Sequence, residues 1–239
     1  MIRLDSPRLR LFIGAALISL SPVWVSLVNV SPSTSGFYRL LFGGGALVIY
    51  LLLTRRRLQL SMRVWALLIA AAIFFSLDLW FWHRSIVYLG PGLATLLANF
   101  QVFIMMIAGV VLLRQIPRPA QLVAAPLALL GLILIVGIDW KSLAADYQLG
   151  IIYGLLAAVL YAGYLLSLRQ ARHDSPYRMP TREMAVVSVI ATAILAIAVF
   201  VEGESLAIPS FPDLGWLVAY GVLSHCLGWL FIASSLSEV

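Results

Sequence analysis

The 239-residue sequence predicts an all-α membrane protein, an inverted-repeat bundle of eight transmembrane helices. Three observations lead there. Hydrophobic residues make up 62 % of the chain and charged residues only 11 %, with a mean hydropathy of +1.01. The apolar residues gather in about eight runs of roughly twenty residues, the length that crosses a hydrocarbon core as a helix. The charges fall largely between those runs. In lipid every backbone amide must be satisfied within its own segment, so such runs read as helices.

The runs lie at about 11–29, 36–53, 64–83, 92–113, 120–138, 149–168, 183–201 and 214–236. Arg3, Arg8 and Arg10 precede the first run. That pattern also fits a cleaved signal peptide, but Val28-Asn29-Val30-Ser31 offers no small-x-small site, so the expectation is a retained helix. Pro22 lies inside span 1 and Pro126 inside span 5, and each should kink its helix. Pro32 falls in the loop before span 2, and Gly43-Gly44-Gly45 within that span permits close helix approach, as Gly131 and Gly137 do in span 5. Gly90-Pro91 opens span 4 with proline in a first-turn position. Pro117 and Pro119 separate spans 4 and 5, Pro176 and Pro180 separate spans 6 and 7, and Pro209 and Pro212 precede span 8.

Net charge is +6 and the isoelectric point about 9.8, but the positions of the charges exclude nucleic acid as a partner. Thirteen of the sixteen basic residues precede span 1 or lie between spans 2 and 3, 4 and 5, or 6 and 7. Those alternate loops share one side of the membrane. The other side holds Lys141, Arg84 near a helix end, and the acids Asp139, Asp146, Glu202, Glu204 and Asp213. The excess of basic residues in cytoplasmic loops then places the N-terminus and residue 239 in the cytoplasm; the expected location is the plasma (inner) membrane, in the multi-pass form that the resemblance given below implies. Cys226 is the single cysteine, so no intrachain disulfide forms.

Polar groups deep in a bilayer mark function, since an aspartate at a helix centre costs roughly 2.5–3.5 kcal/mol on insertion. Asp78 is the one acid well inside a span. Counting about 1.5 Å per residue, Asn99 and Gln101 of span 4 reach a similar depth from the opposite side. Trp24 of span 1 arrives there as well, and Tyr161, His225 and Ser21 fall near the middle. Together they occupy a slab roughly 10 Å thick, which predicts a polar chamber. Asp78 is the candidate coupling or recognition carboxylate, able to carry a proton or pair with a cationic group. For Asn99 and Gln101 the alternative is interhelical hydrogen bonding, and for His225 a satisfied core position. Trp24 and Trp82 are candidates for which packing or interfacial anchoring is the simpler role. Arg39 could snorkel to the surface or attract an anion, and His83 and Arg84 read as snorkelling.

Other chemistries lack their residues. No phosphate-binding glycine loop, His-Glu-x-x-His zinc signature or Gly-x-Ser-x-Gly element occurs, so no metal, cofactor or catalytic site is expected. The one lysine, Lys141, is in a loop, which excludes a retinal Schiff base, and no sequence is left for a nucleotide-binding domain. The expected partners are a small-molecule substrate and the lipid bilayer, with a homodimer open. A non-transporting assembly or sensory subunit is the alternative function, recognised by a dry, satisfied slab; an enzyme acting on lipid-like substrates ranks below it. A weak repeat lays Gly14-Ala-Ala-Leu-Ile-Ser-Leu on Gly154-Leu-Leu-Ala-Ala-Val-Leu. Five helices being odd, the second unit would be inverted, as in secondary transporters.

Asp78-Leu-Trp-Phe-Trp-His-Arg-Ser-Ile-Val-Tyr88 followed by Ala94-Thr-Leu-Leu-Ala-Asn99-Phe-Gln-Val-Phe103 resembles spans 3 and 4 of the drug/metabolite transporter superfamily, EamA-type permeases. Ser21-Pro22, Arg39, Pro126 to Gly131 and Gly154 to Tyr161 fit the same pattern. The resemblance implies two inverted five-helix repeats around a central cavity that moves small metabolites, amino acids or drugs, usually outward and without ATP. It assigns 1–139 to a first five-helix repeat and 147–239 to an incomplete second repeat of three helices. Residues 234–239 stand where the family turns into a ninth helix; a fragment of a longer chain is the favoured explanation and a shortened member the alternative. The sequence also departs from the family at Gln101, where a proline often follows the span 4 asparagine, and at Arg114-Gln115, where an acid is usual.

Overall fold

A computed structural model describes residues 6–54, 60–136, 143–175 and 180–235. Arg55, Arg56, Arg57, Gly137, Asp139, Lys141, Pro176 and Arg178 lie outside them. Every regular element among the described residues is helical: α1 Pro7–Ser19, α2 Ser21–Leu27, α3 Pro32–Leu53, α4 Met62–Ala98, α5 Gln101–Leu113, α6 Pro119–Val136, α7 Ala145–Asp174, α8 Pro180–Val201, α9 Phe211–Ala219, a π-helical segment Tyr220–Gly228, and α10 Trp229–Ser235. Among the described residues, six helical runs are long and apolar enough to cross a membrane. They do not map one to one on the eight predicted spans. One run, Met62–Leu112, covers predicted spans 3 and 4, and predicted span 5 falls on a shorter apolar helix, Pro119–Leu134.

Local chemistry sets most of the breaks. Proline stands in the first turn of α1, α2 and α3, where its missing N–H costs nothing. Pro22 thus divides predicted span 1 into α1 and α2, whereas α6 runs on through Pro126. Ser61 caps α4 by accepting from the Val64 amide at 3.3 Å, and Ser210 caps α9 by accepting from the Asp213 amide at 3.2 Å. Gly90 takes φ 78°, ψ 166° in the middle of α4, a conformation open to glycine, and Pro91 restarts the helix beyond it. A second interruption, unforeseen, comes at Asn99–Phe100. There the bonds shorten to a three-residue spacing, Phe100 N–H to the Leu97 carbonyl and Val102 N–H to that of Asn99.

The bundle is held by close packing, because lipid offers no hydrophobic drive between helices. Helix α4 lies along α7, and α3 along α8 and the π-helical segment. Alanines at 71, 72 and 94 of α4 and 157, 158, 162 and 171 of α7 are buried. Gly43 meets the π-helical segment so closely that a Cβ there would lie 2.5 Å from the Gly221 carbonyl. Gly45 and Gly131, in contrast, face open space. Leu40, Leu68, Phe75, Leu79, Tyr164 and Tyr220 fill the interior, while Ile49, Leu52, Leu134 and Phe200 point outward.

Candidate functional site

Where α1 and α2 meet, the chain leaves a cavity of about 520 Å³ bounded by α3, α4, α5, α7 and α10. Ser21, Arg39, Asp78, Trp82, Asn99, Gln101 and Tyr161 line it, joined by Phe75, Thr95 and Trp229. Asp78 comes from the straight part of α4. Asn99 and Gln101 flank the interruption between α4 and α5, which brings both to the same wall.

Arg39 is the positive group of the cavity. It is 6 % exposed, so it does not snorkel: its Nη1 donates to the Tyr220 hydroxyl at 2.9 Å. Its guanidinium lies 4.9 Å from the Tyr220 ring centre and 5.9 Å from those of Phe75 and Trp82, distances at which a cation is attracted by the ring faces. Asp78 is the negative group. Arg39 is the charge that acts on it, yet no ion pair or hydrogen bond to the Asp78 carboxylate occurs among the described residues. The Ser21 hydroxyl, Thr95 hydroxyl, Gln101 Oε1 and Arg39 Nε are also buried without a protein partner. Each such group costs about 1–3 kcal/mol if nothing hydrogen-bonds to it. Four such groups belong to side chains that line the cavity.

One end of the bundle is tied by ions. Arg84 Nη2 donates to Glu202 Oε2 at 2.6 Å, to the Ser33 hydroxyl at 3.1 Å and to Glu204 at 3.5 Å. Its guanidinium sits 3.8 Å from the centre of the Trp80 ring, and Trp80 Nε1 donates to Glu202 Oε1 at 2.6 Å. Glu204 accepts from the Ser31 hydroxyl at 2.5 Å and the Thr34 amide at 3.1 Å. Burial raises the Glu202 carboxyl, but the bonds from Ser33 and Trp80 and the charge of Arg84 bring it below its ordinary pKa. At the opposite, arginine-rich end, Arg172 pairs with the fully buried Glu183 and Arg63 with Asp174, each at 2.9 Å.

The sequence profile of the EamA-like transporter family matches residues 9–137, more than half of the chain. The chain belongs to the EamA-like transporter family. No curated protein matches it. A solved structure, described only as a crystal structure of a protein, aligns over 96 % of this chain and 78 % of its own with a TM-score of 0.69 and 19 % identity; that likeness concerns the fold. As an EamA-like transporter the chain is a multi-pass membrane protein of a family that moves small molecules.

Seven of the nine residues singled out from the sequence line the cavity of this EamA-like transporter; Trp24 and His225 do not. Trp24 stacks on Trp216 at 5.6 Å, and its Nε1 is buried without a partner. His225, in the π-helical segment, stacks at 5.7 Å on Phe75, a cavity residue, and does not itself line the cavity. Ser188 commits its hydroxyl proton to the Met184 carbonyl at 2.7 Å, so its oxygen accepts from His225 Nε2 at 2.7 Å. That assigns the proton to Nε2 and leaves Nδ1 without a partner. His83 is buried with Nδ1 at 2.6 Å from the Leu79 carbonyl, and Arg84 is pinned as described, so neither snorkels. The clamp around Arg84 escaped the sequence reading, although Glu202 and Glu204 had been placed on the same side of the membrane as Arg84. That shared side was the signal.

Proposed function

We propose that this chain carries a small organic solute across the plasma (inner) membrane by secondary transport, outward and by alternating access. The observation that supports it most is the cavity wall that holds Arg39, Asp78 and several unpaired hydrogen-bonding groups deep within apolar helices. A solute bearing both charges, or a polar solute with an aromatic part, complements that wall: Asp78 faces a cationic group, Arg39 an anionic one, and Trp82, Phe75 and Tyr161 supply ring surface. Asp78 acts as the recognition or coupling carboxylate, with protons as the coupling ion. Asn99, Gln101 and Ser21 offer neutral hydrogen bonds along the path, while Trp24 and His225 shape it from the second layer.

In this reading the chain crosses eight times, with the run Met62–Leu112 turning back at Gly90-Pro91; 1–139 forms a five-helix repeat and 147–239 an inverted, incomplete second repeat of three helices. The arginine-rich loops and the N-terminus lie in the cytoplasm. The Arg84 clamp then closes the outer end of the path. A dry, satisfied slab would have favoured a non-transporting subunit, and the unpaired groups weigh against it. The test is a thermal-shift screen of purified protein with amino acids, nucleosides, organic cations and organic acids. A solute that raises the melting temperature of the wild type, but not of Arg39→Gln or Asp78→Asn, supports the reading. A screen in which the stabilising solutes act equally on all three proteins counts against it.

A further inference from the structure

A second cavity, of about 310 Å³, lies between α5, α6 and α7 and is lined by Gln101, Met105, Met106, Gly109, Gln115 and Gln121 among others. Gln101 borders both cavities. From Gln101 to Gln115 the α5 helix and its end span roughly 20 Å, so this cavity runs from mid-bundle to the arginine-rich loop of Arg114 and Arg118. Its lining carries no charge. Three amide side chains supply donors and acceptors, and two thioethers supply soft, adaptable apolar surface. Gln101 Oε1 is buried and has no protein partner.

Three other junctions among the described residues are tight. Where α1 crosses the π-helical segment and α10, a Cβ on Gly14 would lie 2.7 Å from the Gly228 carbonyl and 2.9 Å from Ile232. At the arginine-rich end of α4, α7 and α8, the pairs Arg172–Glu183 and Arg63–Asp174 bind the helices together. At the far end the Arg84 clamp joins α3, α4 and the segment after α8. Helix α6 is the loosely held wall: Leu127, Leu130 and Leu134 are 60 %, 52 % and 72 % exposed.

We infer that the cavity between α5, α6 and α7 is a second solute site, the vestibule through which small polar or amphipathic organic molecules, organic cations included, reach the central cavity past Gln101. Its significance rests on the transport reading, but the route itself can be tested without a substrate. Ala98 lines the central cavity and not the vestibule. In a Cys226→Ser background, Ala98→Cys is reacted with a trimethylammonium ethyl methanethiosulfonate reagent, which does not cross lipid. In nanodiscs both faces are open to reagent, so the result does not depend on orientation. Adding Met106→Trp, a plug in the vestibule, should slow labelling at least five-fold, while Leu134→Trp on the outer face of α6 should leave it unchanged. Where Met106→Trp does not fold, as judged by its melting temperature, Gln115→Trp at the mouth serves as the plug. An unplugged protein that does not label, or a plug that leaves the rate unchanged, overturns the vestibule. Solute transport, measured separately, would stand or fall on its own.

Discussion

Arg84 shows how much one charged side chain at a helix end can organise. Its guanidinium faces two carboxylates, a serine hydroxyl and an indole ring, and the carboxylates retain other donors of their own. Arg84→Ala is therefore expected to cost only about 1–2 kcal/mol, read as a lower melting temperature in detergent at pH 7. The effect has a defined pH dependence. Glu202 has a lowered pKa in the folded protein, so the stability it contributes is present above the ordinary glutamate value of about 4.3 and is lost as pH falls through the lowered value. The difference between wild type and Arg84→Ala should shrink over that acid range; a difference constant from pH 7 downward would remove Glu202 as the partner. Sequence counting missed this clamp for a physical reason. Depth along a helix axis follows from residue number, but the direction a side chain takes around that axis follows from its neighbours. Arg39 illustrates the same gap: near a helix end it could reach the surface, yet Tyr220 and two further rings draw it into the interior.

The helices differ in how tightly they meet. Gly43 on α3 and Gly221 in the π-helical segment touch backbone to backbone, whereas Gly45, two residues on, has no neighbour within 4 Å of a built Cβ. Gly43→Ala should thus overpack the crossing and destabilise by about 1–3 kcal/mol. Gly45→Ala should be neutral or stabilising by up to about 1 kcal/mol through helix propensity. Thermal unfolding of the two variants side by side checks the contrast, and equal effects would contradict the packing described. Composition and proline spacing made the helices legible, including the division at Pro22 and the break at Gly90-Pro91. They did not disclose the π-helical segment, whose Gly221 and Gly228 read as ordinary small residues of a membrane helix, or the tightened turn at Asn99–Phe100, which contains neither glycine nor proline. The first packs against α3 and the second borders the cavity.

Across the bundle, ion pairs tie both ends, and four buried polar atoms without a protein partner belong to side chains that line the central cavity. The gathering of Asp78, Asn99, Gln101, Tyr161 and Ser21 was readable because buried polar groups on separate helices at one depth must face one another or face lipid, and lipid is the costlier choice. His225 shares that depth but does not line the cavity, and Ser188 holds it. A chamber that binds and releases a solute should depend on its charged wall more than on its outer shell. The most direct measurement is flux in reconstituted vesicles, using radiolabelled solutes that stabilise the wild-type protein. The account predicts that Asp78→Asn abolishes transport, or its dependence on pH, while expression and melting temperature stay near wild type. Flux through Asp78→Asn that matches the wild type at every pH would contradict it.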